Sequence, residues 1–176
     1  GLFKNGIELQ GVNLFIGITL FGAIWITLAV GGFLGWFNGL MITRFKVPPF
    51  VATLAMLTIA RGLTMLCTKG FPITQLGDHF TYLGTGWFLG IPMPVWISIF
   101  VVALSVFFMN KTRTGRYIYA IGGNERAALL SGVKVNKVKV IVYMLAGVLS
   151  GIAGLLVTAR LDSAQPNAGL GYELDS

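Results

Sequence analysis

Few side chains in this sequence are able to do chemistry. Its 176 residues hold six carboxylates, one histidine and one cysteine, against 24 glycines and 13 phenylalanines. His79 follows Asp78, and an Asp-His pair can act as a base or share a metal ion. There is no second histidine and no Gly-x-Ser-x-Gly nucleophile turn, so a solvated loop pair is the plainer reading. No catalytic residue and no metal ligand is expected. Cys67 can form no disulfide within the chain and suits a small apolar position at the end of an apolar run. Gly122-Gly123-Asn124 is followed by Glu125, where a phosphate loop needs Lys-Ser/Thr. Arg61 stands inside an apolar run, where a guanidinium needs a partner, water or a route to the interface. It is a candidate intramembrane polar group near a permeation path, against the alternative that it snorkels to the outer boundary.

The elements that hold these residues are those of a membrane protein. Charged residues are 11% of the chain and hydrophobic residues 55%, with a mean hydropathy of +0.80. Soluble domains carry roughly 25% charged residues, so this chain lacks the charge to cover a water-facing surface. Four apolar stretches are long enough to cross a bilayer, at about 12–42, 50–67, 92–109 and 138–159. Val47-Pro48-Pro49 and Pro92-Met93-Pro94 suit the starts of the second and third. In the first, Gly31-Gly32 is the only signal for a turn. Barrel strands would be shorter and would alternate in polarity, which these stretches do not. The predicted fold is an all-α polytopic transmembrane helix bundle. Gly31, Gly35 and Gly39 recur every fourth residue, as do Gly147 and Gly151, with Gly154 three further on. That spacing predicts close backbone packing between helices.

Basic residues set the orientation. With 110–137 in the cytoplasm, the turn 43–49 is cytoplasmic too, and 1–11, 68–94 and 160–176 lie outside. Arg44, Lys46, Lys111, Arg113, Arg116, Arg126, Lys134, Lys137 and Lys139 then fall inside, against Lys4, Lys69 and Arg160 outside. The net charge of +7 is therefore a topology signal, and nucleic-acid binding is not expected. Trp87, Trp96, Tyr82 and Phe88 gather at one boundary, as interfacial anchors do.

The segment 110–137 is longer than a connector needs. Asn124 is a good N-cap and Glu125 suits the first turn of a helix. Residues Arg126, Ala127 and Ala128 through Ser131 make about two turns, and Gly132 closes them. With Gly123 they form a candidate coupling element, 123–132. Its Ala127, Ala128, Leu129 and Leu130 need cover, from either a partner protein or the bilayer surface.

Several runs carry a family resemblance: Gly115-Arg-Tyr-Ile-Tyr-Ala-Ile-Gly-Gly-Asn-Glu125, Leu130-Ser-Gly132, Asn136-Lys-Val-Lys-Val-Ile-Val-Tyr143 and Gly151-Ile-Ala-Gly-Leu155. Upstream are Pro49-Phe-Val-Ala-Thr-Leu54, Arg61-Gly-Leu-Thr-Met65 and Pro92-Met-Pro-Val-Trp96; downstream are Ser163-Ala-Gln-Pro166 and Gly169-Leu-Gly-Tyr-Glu-Leu-Asp175. In this order they resemble the permease subunits of sugar ABC importers of the ribose, xylose, arabinose and galactoside group, with ribose carriers nearest. The likeness covers nearly the whole chain and fades before about Gly35. It implies a fragment, over 1–176, of one subunit with roughly ten spans in a bacterial plasma membrane, paired with a second copy. It further implies an ATP-binding cassette subunit docked on the cytoplasmic segment, with ATP and Mg held on that partner and no cofactor here. An extracytoplasmic sugar-binding protein would deliver the cargo. An ion-coupled secondary transporter or a membrane anchor is the alternative, but no carboxylate falls within a span to couple an ion.

Overall fold

A computed structural model describes residues 20–74, 78–166 and 168. Residues 12–19 of the first expected span, the side chains of Asp78 and His79, and the segments 1–11 and 169–176 lie outside that description.

Four long helices dominate: α1 (Leu20–Arg44), α2 (Pro49–Thr68), α4 (Met93–Lys111) and α7 (Val135–Leu161). All four are long and apolar enough to cross a membrane. Between them lie β1 (Ile73–Thr74), the short helix α3 (Asp78–Thr85), β2 (Trp87–Phe88), β3 (Ile91–Pro92), α5 (Arg113–Gly123) and α6 (Glu125–Leu130). β4 (Ser163–Ala164) follows α7. Proline explains two of the starts. Pro49 opens α2 and Pro94 lies in the first turn of α4, where an amide N–H has no helical acceptor to lose.

The long helices are apolar all round and mostly unburied by their own chain. α4 has no buried residue, and Phe100, Val102, Leu104 and Phe107 stand open. A helix of that composition needs lipid or further helices around it. α2 is similarly bare, with Ala52 alone buried.

The tightest packing is between α1 and α7, which run antiparallel. A Cβ added at Gly31 would come 2.5 Å from the Gly147 carbonyl oxygen, and one at Gly39 would come 2.8 Å from Val140 Cα. One at Gly35 would strike the Tyr143 carbonyl, and one at Gly147 the Gly31 carbonyl. A Cβ at Gly151 would approach the Thr27 carbonyl at 3.2 Å. Only residues without side chains let two backbones meet this closely. Gly154 differs: among the described residues nothing lies within 4 Å of its would-be Cβ. α1 passes through Gly31-Gly32 as unbroken helix, so that pair is a packing surface and not a turn.

This register sorts the connections by side. The Arg44 end of α1 lies beside the Val135 end of α7, and there too α4 hands over to α5. At the opposite end β1 pairs antiparallel with β4, Ile73 opposite Ala164 and Thr74 opposite Ser163. α3 packs on the end of α7 there, with Phe80 and Ala159 forming a small core joined by Ile73, Leu83 and Leu155. Gly84 permits the approach, because a Cβ on it would strike the backbone of Ala159 and Arg160. Thr81 Oγ1 donates to Asp162 Oδ1 at 2.8 Å. The grouping of the loops is the one that the basic residues imply.

Candidate functional site

The segment between α4 and α7 is built more tightly than its sequence foretells. Thr112 ends α4 and begins α5: its N–H donates to the Phe108 carbonyl at 3.2 Å, and its Oγ1 accepts from Gly115 N at 3.1 Å. Gly115 is buried, and a Cβ there would meet the Met109 carbonyl group. The turn is therefore sharp enough to lay the start of α5 against the end of α4. Sequence reasoning missed α5, an 11-residue helix, along with α3. The signal present was Thr112 as a cap, masked by glycines at 115, 122 and 123, which lower helix propensity.

Asn124 joins α5 to α6 and serves both. It is extended, with φ −158°. Its N–H donates to the Ala120 carbonyl at 3.1 Å, closing α5, and its Oδ1 accepts from Ala127 N at 3.0 Å, opening α6. The other end of α6 is a Schellman closure. Val133 N donates to the Ala128 carbonyl at 3.1 Å and Gly132 N to the Leu129 carbonyl at 3.0 Å, with Gly132 at φ +83°. Ser131 Oγ donates to the Ala127 carbonyl at 2.9 Å.

Of the residues singled out from sequence, Gly123, Asn124, Glu125, Arg126, Ala127, Ser131 and Gly132 are exposed and Ala128 is buried at 5%. Leu129 and Leu130 project at 61% and 89% exposure. Glu125 forms an ion pair with Lys139 of α7 at 2.7 Å, a partner that sequence spacing did not reveal. Arg61 stands apart from this unit, half-buried on α2. Its guanidinium has no hydrogen bond or ion pair among the described residues.

A cleft of about 670 Å³ opens between α1, α4 and α7, with Ile118 of α5 and Leu83 of α3 at its margins. Its walls include Phe100, Leu104, Leu145 and Leu149, and among the described residues only Thr27 and Ser105 bring hydroxyls. Thr27 Oγ1 already donates to the Ala23 carbonyl at 2.8 Å. Such walls offer a polyol few replacements for its water contacts.

Residues 4–176 match the family described as branched-chain amino acid transport system / permease component. The chain belongs to this family of transport permeases. Among permease relatives, the ribose import permease protein RbsC of Haemophilus influenzae is 48% identical over 165 residues, which is 92% of this chain and 51% of that protein. RbsC of Bacillus subtilis is 52% identical over 141 residues, 79% of this chain and 44% of that protein. The L-arabinose transport system permease protein AraH of Escherichia coli K12 is 37% identical over 172 residues, 96% of this chain and 52% of that protein. The chain spans about half the length of the curated relatives it matches. No solved structure matches it. Membership in a permease family, together with four membrane-competent helices, makes this a multi-pass membrane protein.

Proposed function

We propose that this chain belongs to the permease subunit of an ATP-driven sugar importer whose cargo is ribose. The observation that carries the reading is 48% identity, over 92% of the chain, to a ribose import permease. In this reading two copies form the path in a bacterial plasma membrane. A sugar-binding protein delivers cargo outside, and a separate ATP-binding subunit, holding ATP and Mg, docks on α5–α6. The capped helix α6 with its bare Leu129 and Leu130 suits such docking, since apolar side chains outside a bilayer need a partner's cover. No bond of the sugar is made or broken. ATP state biases a two-state membrane element through α6. Arg61 is a candidate polar group near the path, and the glycines of α1 and α7 keep those spans in contact.

The test is uptake by the full-length protein with its ATP-binding subunit in cells lacking other pentose importers. Ribose accumulation that survives collapse of the proton gradient is the expected result. Accumulation abolished by the protonophore at constant ATP overturns ATP coupling in favour of an ion-coupled carrier, and no accumulation of any pentose leaves an anchor. Identity of 37% to AraH makes arabinose the second cargo to examine. Arabinose competing better than ribose would reassign the substrate. Co-purification offers a separate check: the ATP-binding subunit should come down with the intact protein, and not when 124–132 is replaced by a Gly-Ser linker.

A further inference from the structure

The Glu125 carboxylate turns toward its own chain. Both of its oxygens accept from Lys139 Nζ, at 2.7 and 2.8 Å, across a separation of 14 residues. Charge explains the pairing. Lys134, Lys137 and Lys139 crowd the N-terminal end of α7, where the helix dipole is positive and no acidic residue stands in the first turn. Glu125 is the one carboxylate in the segment 110–137. From the first turn of α6 it favours the dipole of its own helix and offsets the cations at the base of the next. α7 then runs for 27 residues and interlocks with α1 through Gly147 and Gly151. The Glu125 carboxylate is thus directed to its own chain, whereas Leu129 and Leu130 at the far end of α6 are bare.

We propose that Glu125 is a positioning residue that straps α6 to the base of α7 through Lys139, so that a push on Leu129 and Leu130 is delivered to α7. This rests on α6 being the docking helix for the ATP-binding subunit, with Leu129 and Leu130 as its contact. The side chains are 53% exposed for Glu125 and 32% for Lys139, so the pair is a weak strap. It holds α6 in register while letting it move with the transport cycle.

The test uses the full-length protein in proteoliposomes with its ATP-binding subunit, in a background with Cys67 and every other cysteine replaced. Spin labels at Arg126→Cys and Leu149→Cys report the distance between α6 and mid-α7, and leave Leu129 and Leu130 intact. Glu125→Gln and Lys139→Gln should each broaden that distribution and lower uptake about two- to five-fold, the scale of an exposed ion pair. The exchange Glu125→Lys with Lys139→Glu should narrow the distribution again and restore most of the uptake. Three outcomes would overturn the strap: single variants as narrow as the parent, single variants that broaden without loss of uptake, or an exchange no better than either single. Should the parent neither bind the ATP-binding subunit nor transport, the functional reading fails separately. The label distances in the parent, single and exchanged forms still decide the strap in that case.

Discussion

Asn124 carries more of the local structure than any neighbour of its size. It closes α5 with its N–H and opens α6 with its side-chain oxygen, and both bonds need an extended backbone between two helices. Asn124→Ala keeps the first and loses the second, at a cost of about 1 kcal/mol. The expected outcome is faster amide hydrogen exchange at Ala127 and Ala128, with α4 and α7 unchanged. Protection equal to the parent would show that packing of the buried Ala128 alone holds α6. The cap and the Gly132 stop were legible in sequence because each is a local rule: an amide side chain before a short helix, and a left-handed position after it. Lys139 as the partner of Glu125 was not, because the pair is made by how two helices meet and not by spacing along one of them.

At the scale of elements, the α1–α7 contact rests on glycine surfaces facing each other. Gly35→Leu puts a side chain into the Tyr143 carbonyl and the Met144 backbone, where neither atom can yield as a rotamer would. The expected destabilisation is about 1–3 kcal/mol, typical of overpacking. It would appear as earlier thermal loss of the monodisperse peak in detergent. Gly154→Leu is the internal comparison, since open space surrounds that position and the same assay should return the parent value. Equal losses at both sites would mean that the glycines matter for helix propensity or lipid packing and not for this seam. The periodic glycines were visible in sequence, but their sorting was not. Periodicity puts Gly151 and Gly154 on one helix alike, and only the position of α1 tells them apart. α5 and α3 escaped notice for a related reason: each is short, glycine-containing and held by contacts with a neighbouring span, which outweigh a poor intrinsic propensity.

For the whole molecule, antiparallel α1 and α7 and the β1–β4 pairing place the loops at two opposite ends. The excess of basic residues at the α5–α6 end predicts that this end faces the cytoplasm. In a background with Cys67 and every other cysteine replaced, Lys69→Cys should react with a membrane-impermeant maleimide in intact cells, and Lys134→Cys only after permeabilisation. The reverse pattern would invert the topology and remove α6 from reach of a cytoplasmic ATP-binding subunit. Two aromatic side chains pair at the β2–β3 end of α4. Trp96 Nε1 donates to the Phe88 carbonyl at 3.2 Å, and the Phe88 and Trp96 rings meet edge to face at 6.3 Å.

By itself the sequence determined the class of protein, the presence of four apolar helices long enough to cross a membrane, and how the loops group at the two ends of the bundle. Those properties follow from quantities that add along the chain: apolar length against bilayer thickness, and basic residues counted beside each span. It also determined the ends of α6, because caps act within one turn. Tertiary structure decided which glycines touch and that α5 folds back on α4. It also decided that α3 rests on the end of α7, and that the Glu125 carboxylate meets Lys139. Each of these depends on where one helix lies against another. In a chain so uniformly apolar, the hydrophobic pattern barely distinguishes one face of a helix from the next.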